Sequence, residues 1–149
     1  MRLRIGKLAS LTTALAFLLA TAIPSVPALA VSDVDGHWAQ AEVEALQSSG
    51  IIQGYPDGTF KPENSISRAE FVTILNRAAR LDAVASAGRF SDVVPGAWYD
   101  GQVGAASAVG YITGFEDNTF RPDQPITRNE VAVILARALG LAQKGTPSF

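Results

Sequence analysis

Two stretches of the chain place apolar residues at the spacing of one face of an α-helix. They follow an i, i+3, i+4, i+7 pattern, with Phe71, Ile74, Leu75 and Ala78 in one stretch and Val131, Ile134, Leu135 and Ala138 in the other. This spacing predicts one amphipathic helix in each stretch. A hydroxyl residue precedes each helix and a glutamate follows three positions later, as Ser67 with Glu70 and Thr127 with Glu130. These pairs fit capping boxes, so we expect the helices to begin at Ser67 and Thr127.

A second pair of helices is predicted upstream of the first. They cover residues 37–49 and 97–109. The earlier one has a narrow apolar stripe, formed by Ala39, Val43 and Leu46. Each ends at a glycine, Gly50 or Gly110, which can take the left-handed conformation just past a helix end. Gly101 and Gly104 fall inside the later helix and weaken this prediction, because each costs about 1 kcal/mol relative to alanine.

Turn-forming residues join the two helices of each pair. The first loop contains Pro56-Asp57-Gly58, and the second has Asn118 in the place of Gly58. Glycine and asparagine are the residues that best tolerate a positive φ, so we expect a left-handed position there in both loops. The predicted fold class is all-α, with two helix-loop-helix units and very short strands allowed in the loops.

The two units are copies of one repeat. Trp38 and Trp98 lie 60 residues apart, and this register aligns a long series of residues without a gap. The matched pairs include Gly50/Gly110, Ile52/Ile112, Gly54/Gly114, Asp57/Asp117, Phe60/Phe120, Arg68/Arg128, Glu70/Glu130 and Arg77/Arg137. We expect repeat 1 over residues 31–82, a linker over 83–89, repeat 2 over 90–142 and a tail over 143–149. Phe149 lies 59 residues after Phe90, where a third copy would begin.

The first 30 residues have the order of a secretory signal peptide. Basic residues come first, an uncharged apolar run extends from Leu8 to Ile23, and Ala28-Leu29-Ala30 supplies a cleavage site. The alternative is an uncleaved membrane anchor, although the apolar run is shorter than the ~20 residues that span a bilayer comfortably. No later segment is apolar enough to span a membrane.

Charge and cysteine content narrow the function. Three of the 12 Lys and Arg and none of the 14 Asp and Glu precede residue 31, so the mature chain carries nine basic and 14 acidic residues. A net charge of −5 disfavours nucleic acid, which requires a basic face. The chain has no cysteine, which excludes disulfides, a thiolate metal site and a cysteine nucleophile.

The repeated segments resemble the S-layer homology (SLH) motif. The first runs from Gly50 through Tyr55-Pro56-Asp57-Gly58-Thr59-Phe60 to Ser67-Arg68-Ala69-Glu70-Phe71, and the second from Gly110 to Val131. The resemblance covers about Ser32 to Leu141. It implies helical repeats that pack side by side around a pseudo-threefold axis, of which two are present here. It also implies binding of a secondary cell-wall polysaccharide, often one that carries a pyruvate ketal, or of a peptidoglycan-linked polymer.

The resemblance also suggests which residues bind the ligand. The arginine of the family motif corresponds to Arg68 and Arg128, and the early tryptophan and aspartate to Trp38 and Asp33 or Trp98 and Asp92. With the helix-start hydroxyls and the motif glycines, the candidates are Arg68, Arg128, Trp38, Trp98, Asp33, Asp92, Ser67, Thr127, Gly54 and Gly114. No catalytic residue, cofactor or metal is predicted. The binding grooves of the family lie between neighbouring repeats, so two copies leave one face of the arrangement open.

Each candidate also has a purely structural interpretation. Arg68 and Arg128 could grip a ligand carboxylate through paired hydrogen bonds or form a salt bridge to a nearby acid. Trp38 and Trp98 could support a sugar ring or pack in the core. Ser67 and Thr127 are first of all caps, with anion binding as the lesser alternative. Asp57 and Asp117 suggest calcium only superficially, because too few neighbouring positions carry oxygen ligands.

The sequence therefore predicts an exported, non-enzymatic module that anchors to a bacterial cell wall or S-layer. Such a module would face the periplasm if the organism has an outer membrane. Its expected partner is a cell-wall polysaccharide. Two alternatives stay open: an assembly protein that pairs with the SLH repeats of another chain or with itself, and a vestigial fragment of a longer protein. His37, the only histidine, has Ala97 as its counterpart, which excludes a repeated catalytic role.

Overall fold

The structure is a computed structural model that describes residues 32–141. Its four helices are α1 (Gln40–Ser48), α2 (Arg68–Ala79), α3 (Asp100–Ala108) and α4 (Arg128–Ala138), and a 3-10 turn (Ser32–Val34) precedes α1. Within these residues the loops contain no strand, only one antiparallel bridge between Ser67 and Pro125. The all-α prediction is confirmed. The predicted signal peptide and the predicted tail lie outside the described residues.

Local sequence signals place the helix ends. The hydroxyl of Ser67 accepts the N–H of Glu70 at 3.2 Å, and the Glu70 carboxylate accepts the N–H of Ser67 at 2.7 Å. Thr127 and Glu130 make the same pair of bonds at 3.3 and 2.8 Å, so both predicted capping boxes are present. Substituting such a cap by alanine costs about 1 kcal/mol.

The shorter helices begin three residues later than predicted, at Gln40 and Asp100. In repeat 1 the preceding residues form turns instead, in which His37 donates to Val34 and Gln40 donates to His37. The predicted ends hold, because Gly50 and Gly110 follow the helices with φ of +73° and +80°.

The packing face of α2 differs from the predicted one. The buried side chains are Ala69, Val72, Thr73 and Asn76, together with Arg68 at the helix start. Phe71, Ile74 and Leu75 are only half-buried and Ala78 is exposed. The reason is tertiary: α2 lies between two clusters and turns its Val72 side toward α3 of the next repeat.

Two hydrophobic clusters hold the chain together. The smaller one belongs to repeat 1 and contains Val34, Val43 and Ile52. The larger one joins the repeats, because it combines Ala69 and Val72 of α2 with buried residues of repeat 2: Phe90, Val93, Tyr99, Val103, Ala106, Ile112, Phe120 and Ile134. The two repeats therefore pack side by side through a shared core.

The glycines of α3 accommodate the linker between the repeats. A Cβ added to Gly104 would lie 1.7 Å from the carbonyl oxygen of Val84, and one on Gly101 would lie 2.9 Å from the Cβ of Ala83. The N–H of Val84 donates to the carbonyl of Gly101 at 2.9 Å. The linker therefore crosses α3 in direct backbone contact, which leaves no room for a side chain at Gly101 or Gly104. No helix in residues 32–141 has both the length and the apolarity to cross a bilayer.

Candidate functional site

Arg68 lies at the seam between the two repeats. It is 5% exposed, its Nε donates to the carbonyl of Phe120 at 2.7 Å, and an Nη donates to the Glu130 carboxylate at 2.8 Å. Its guanidinium carbon also lies 4.7 Å from the ring centroid of Phe115 and 4.9 Å from that of Phe120. Burial lowers the pKa of Arg68, and the charge of Glu130 opposes that effect. The salt-bridge interpretation therefore describes Arg68 in this structure.

The backbone continues this seam beside Arg68. The N–H groups of Arg68 and Ala69 donate to the carbonyls of Gln124 and Pro122 at 2.9 and 3.0 Å, and the N–H of Ile126 donates back to Ile66 at 3.0 Å. The start of α2 in repeat 1 is thus fixed against the loop that precedes α4 in repeat 2.

Each repeat contains a groove between its loop and its second helix. The grooves use equivalent positions, 60 residues apart, at Ile52/Ile112, Gln53/Thr113, Gly54/Gly114, Tyr55/Phe115, Glu70/Glu130, Thr73/Val133, Ile74/Ile134 and Arg77/Arg137. The repeat-1 groove has a volume of about 580 Å³, and the repeat-2 groove about 240 Å³.

Each groove also receives one side chain from the other repeat. Trp98 of repeat 2 lines the repeat-1 groove, and Arg68 of repeat 1 lines the repeat-2 groove. Trp38 lines neither groove and neither does Arg128. Each groove within the described residues therefore has either the motif arginine or the tryptophan of a neighbouring repeat, but not both.

The tryptophans are surface residues. Trp38 is 86% exposed and Trp98 is 62% exposed, so the interpretation that they pack in the core is wrong. The core position belongs to the next residue in repeat 2, Tyr99, which is 8% exposed. The match between the two repeats did not indicate a core position at Tyr99, because its counterpart in repeat 1 is the small Ala39.

Arg128 is exposed at the start of α4. Among residues 32–141 its side chain makes no hydrogen bond or ion pair, unlike that of its counterpart Arg68. The same residue type thus has two environments, a buried seam in one copy and solvent in the other.

Asp33 and Asp92 fix the loops that border the grooves. The two oxygens of Asp33 accept the N–H groups of Phe60 and Lys61 at 2.7 and 2.6 Å. Asp92 accepts those of Phe120 and Arg121 at the same distances. Desolvation raises the pKa of Asp33, but the two N–H donors outweigh it, and the pKa lies below its ordinary value. Both aspartates are therefore committed to the loop backbone.

Asp57 and Asp117 organise the turn of each loop. Asp57 accepts the hydroxyl of Thr59 at 2.6 Å and its N–H at 3.0 Å, and Asp117 binds Thr119 identically. The threonine hydroxyl, helped by the ion pair to Lys61 or Arg121, lowers the pKa of each aspartate to about 2. The positive φ predicted for this turn is confirmed at Gly58 (+80°) and Asn118 (+58°).

The motif glycines and hydroxyls have clear structural roles. Gly54 and Gly114 have φ of +72° and +74°, and a Cβ on Gly114 would lie 2.3 Å from the ring of Phe90. Both glycines line the grooves, whereas Ser67 and Thr127 lie outside them as helix caps.

Further side chains in the grooves, those of Arg77, Arg137 and Tyr55, were not among the sequence candidates. An Nη of Arg77 donates to the side-chain oxygen of Gln53 at 3.1 Å, and Arg137 donates to the hydroxyl of Thr113 at 3.3 Å. Tyr55 donates its hydroxyl to Glu70 at 2.9 Å, which raises the pKa of Tyr55. The match of Arg77 with Arg137 was the only sequence signal for these arginines. Apart from that match, nothing in the sequence distinguishes an arginine that lines a groove from any other surface arginine.

Comparison with known proteins places the repeats in a family. The S-layer homology domain matches residues 32–72 and 89–132. The chain is 37% identical over 118 residues to cell surface glycoprotein 1 of Acetivibrio thermocellus, covering 70% of this chain and 5% of that protein. It is 34% identical over 109 residues to the cellulosome-anchoring protein of the same organism, covering 70% of the chain and 24% of the relative.

The family segment also occurs in larger proteins of other kinds. The surface-layer 125 kDa protein of Lysinibacillus sphaericus is 36% identical over 136 residues, covering 89% of this chain and 12% of that protein. Some matched relatives are enzymes by name, such as the amylopullulanase of Thermoanaerobacterium thermosulfurigenes, of which the match covers 6%. This chain thus spans a small part of each of these relatives.

Proposed function

The chain belongs to the S-layer homology domain family, and from that premise we propose that it is a non-enzymatic module that binds an acidic polysaccharide of the bacterial cell wall. Its family supports the coarser function of a cell-surface anchoring module. The proposed ligand is a secondary wall polysaccharide that carries a carboxylate, such as a pyruvate ketal, or a polymer linked to peptidoglycan. The proposed location is the exported face of the cell envelope, facing the periplasm if an outer membrane is present.

The observation that carries this proposal is the composition of the repeat-1 groove. It combines an exposed indole at Trp98, the phenol of Tyr55 and two cations, Lys61 and Arg77. Aromatic faces bind the apolar side of a sugar ring, and a guanidinium grips a carboxylate through parallel hydrogen bonds. This set of groups suits an acidic sugar.

Arg77 is the cation best placed to bind a ligand carboxylate. Its hydrogen bond goes to the neutral amide of Gln53, and within residues 32–141 it pairs with no carboxylate. Lys61 already pairs with Asp57 at 3.1 Å. We therefore assign the carboxylate to Arg77 and the sugar ring to Trp98.

The repeat-2 groove is the weaker site in this proposal. It is smaller, and its incoming cation, Arg68, already pairs with Glu130. Arg137 binds only the hydroxyl of Thr113 there, so it can still meet an anion. Arg68, at the position of the family's ligand arginine, also lines this groove.

Sedimentation with purified cell walls tests the proposal. The exported form of the chain should pellet with native walls and stay in solution with walls stripped of their secondary polysaccharide. Equal pelleting with both kinds of wall would contradict polysaccharide binding, and no pelleting with either would contradict wall binding altogether.

A second function, pairing with the S-layer homology repeats of another chain, is favoured by the exposed surface of α4 and its C-terminal end. Val133, Leu135, Leu139 and Leu141 are 48%, 38%, 68% and 68% exposed there. Apolar surface of this kind is typical of an interaction site when it is contiguous. Pairing with repeats of another chain needs no wall polymer, which separates it experimentally from glycan binding.

A further inference from the structure

We infer that two copies of this chain associate head to tail, with α4 of one copy packed against repeat 1 of the other. In this contact Arg128 of the first copy enters the repeat-1 groove of the second, beside Glu70 and Tyr55. The seam between the two repeats of each chain is the template. Its donor side, at Arg68, recurs on α4, and its acceptor side, at Phe115, Phe120 and Glu130, recurs in repeat 1.

The donor half of the internal seam is duplicated at α4. In the internal seam Arg68 binds Phe120 and Glu130 and lies over the ring of Phe115. Arg128 is the matched donor, and among the described residues its side chain has no partner.

The acceptor half is duplicated in repeat 1. The counterparts of Phe115, Phe120 and Glu130 are Tyr55, Phe60 and Glu70, and all three line the repeat-1 groove. This groove lacks an incoming arginine and is the larger of the two. An arginine that enters it would meet the same kinds of groups that hold Arg68.

The helix faces are also matched. The buried face of α2 that packs toward α3 consists of Ala69, Val72, Thr73 and Asn76. The equivalent positions on α4 are Asn129, Ala132, Val133 and Ala136, of which the first three are exposed. The equivalent of α3 is α1, where Leu46 is 38% exposed in the place of the buried Ala106. Both faces needed for a second seam are therefore accessible.

Charge favours this pairing. Within α1 the charged residues are Glu42 and Glu44, whereas α4 carries Arg128 and Arg137 against Glu130. An acidic helix on one copy thus faces a net basic helix on the other. Such complementarity steers encounter and fixes the register of an interface.

Glu70 retains capacity for an incoming arginine. Its two oxygens accept the hydroxyl of Tyr55 and the N–H of Ser67, one bond each. A carboxylate offers about four acceptor sites, so both oxygens can accept a further hydrogen bond. In repeat 2 the carboxylate of Glu130 already accepts Arg68 in addition to its cap.

One intermolecular seam would complete both grooves. Arg128 supplies the missing arginine to the repeat-1 groove of the second copy, which already has Trp98. Trp38 of the second copy supplies the missing tryptophan to the repeat-2 groove of the first, which already has Arg68. The consequence for glycan binding rests on the function proposed above, whereas the seam itself does not. The contact joins unlike surfaces, so it either closes into a ring or continues as an open chain.

Light scattering after size-exclusion chromatography, over a range of protein concentrations and without glycan, tests the inference. The exported chain should show a mass that rises above one chain with concentration. Arg128→Glu should weaken association by roughly tenfold or more, because a glutamate then faces Glu70. This substitution should leave the fold intact, since an acidic residue is favourable in the first turn of a helix.

A control and a complementation arm make the result specific. Arg89→Glu makes the same charge change at an exposed site outside both grooves and should leave association unchanged. Mixing Arg128→Glu chains with Glu70→Arg chains should restore mixed assemblies, provided circular dichroism shows that each variant is folded. A wild-type chain that stays monomeric at every concentration would overturn the inference, as would equal weakening by Arg89→Glu. Because no glycan is present, failure here leaves wall binding to be judged by sedimentation.

Discussion

Arg68 and Glu130 join the two repeats across 62 residues of sequence through a 2.8 Å ion pair. The pair uses the glutamate that also caps α4, so one carboxylate closes a helix end and binds the neighbouring repeat. Because Arg68 is buried, this contact belongs to the core of the fold as much as to the border of a groove.

Replacing Arg68 with alanine should destabilise the chain by about 3 kcal/mol. The change removes the Arg68 donor from the Glu130 carboxylate and from the carbonyl of Phe120 in a buried seam, and breaking a buried pair is costly. Urea unfolding of the chain measures the effect. Arg128→Ala is the matched control and should shift the free energy of unfolding by less than about 0.5 kcal/mol. Equal costs for the two variants would contradict the assignment of Arg68 to the seam.

Gly104→Ala should destabilise the chain, although the same change in an ordinary helix stabilises it by about 1 kcal/mol. The new Cβ would lie 1.7 Å from the carbonyl of Val84, so the linker must move. Gly101→Ala should cost less, because its new Cβ would lie 2.9 Å from the side-chain methyl of Ala83. Thermal unfolding of the two variants gives the order, and a stabilised Gly104→Ala would show that the linker does not cross α3.

Acid should weaken the loops through Asp57 and Asp117. Their pKa is about 2 in the folded chain, and an unfolded aspartate has a pKa of about 3.9. A depressed folded pKa gives stability that is fully present above about pH 4 and is lost as the pH falls toward 2. Between pH 5 and pH 2 the free energy of unfolding should therefore fall less steeply in the Asp57→Asn, Asp117→Asn variant than in the wild type. Measurements at intervals of about half a pH unit give the slope. Asp35→Asn, Asp82→Asn makes the same change in net charge at two exposed aspartates and is the control. An unchanged slope in the Asp57→Asn, Asp117→Asn variant would contradict this assignment.

Arg77→Ala should reduce binding to native walls by roughly tenfold, because the groove loses the guanidinium that pairs with no carboxylate within residues 32–141. Arg77→Lys should restore only part of the binding, since an ammonium cannot reproduce two parallel hydrogen bonds. Arg137→Ala makes the matched change in the smaller groove and should have the lesser effect. The assignment fails if Arg77→Lys binds like the wild type or if Arg137→Ala is the more damaging change.

Local rules were sufficient for the parts of the fold that depend on neighbours in sequence. The capping box at Ser67, the left-handed Gly50 and the positive φ of Asn118 all follow from residue chemistry within a few positions. These features depend on the nearby backbone alone, so the sequence predicted them correctly.

The remainder depends on which surfaces meet across the repeats. The periodicity around Ile74 indicated one apolar face, but α2 contacts two clusters and buries Val72 and the polar Asn76 instead. The glycines of α3 weakened the prediction of a helix there. Their structural reason, the linker that crosses Gly104, is a tertiary contact that local rules do not reveal. The groove also could not be derived from one repeat, since Trp98 reaches it from the other.

Wall sedimentation of Trp98→Ala against Trp38→Ala tests the central claim most directly. Both tryptophans are exposed, at 62% and 86%, so neither substitution should unfold the chain, and they occupy equivalent positions in the two repeats. Trp98 lines the repeat-1 groove and Trp38 lines neither groove. At concentrations where the chain is monomeric, Trp98→Ala should lose most of its binding to native walls and Trp38→Ala should retain it. Full binding by a folded Trp98→Ala variant would contradict the claim that the repeat-1 groove holds the wall polysaccharide.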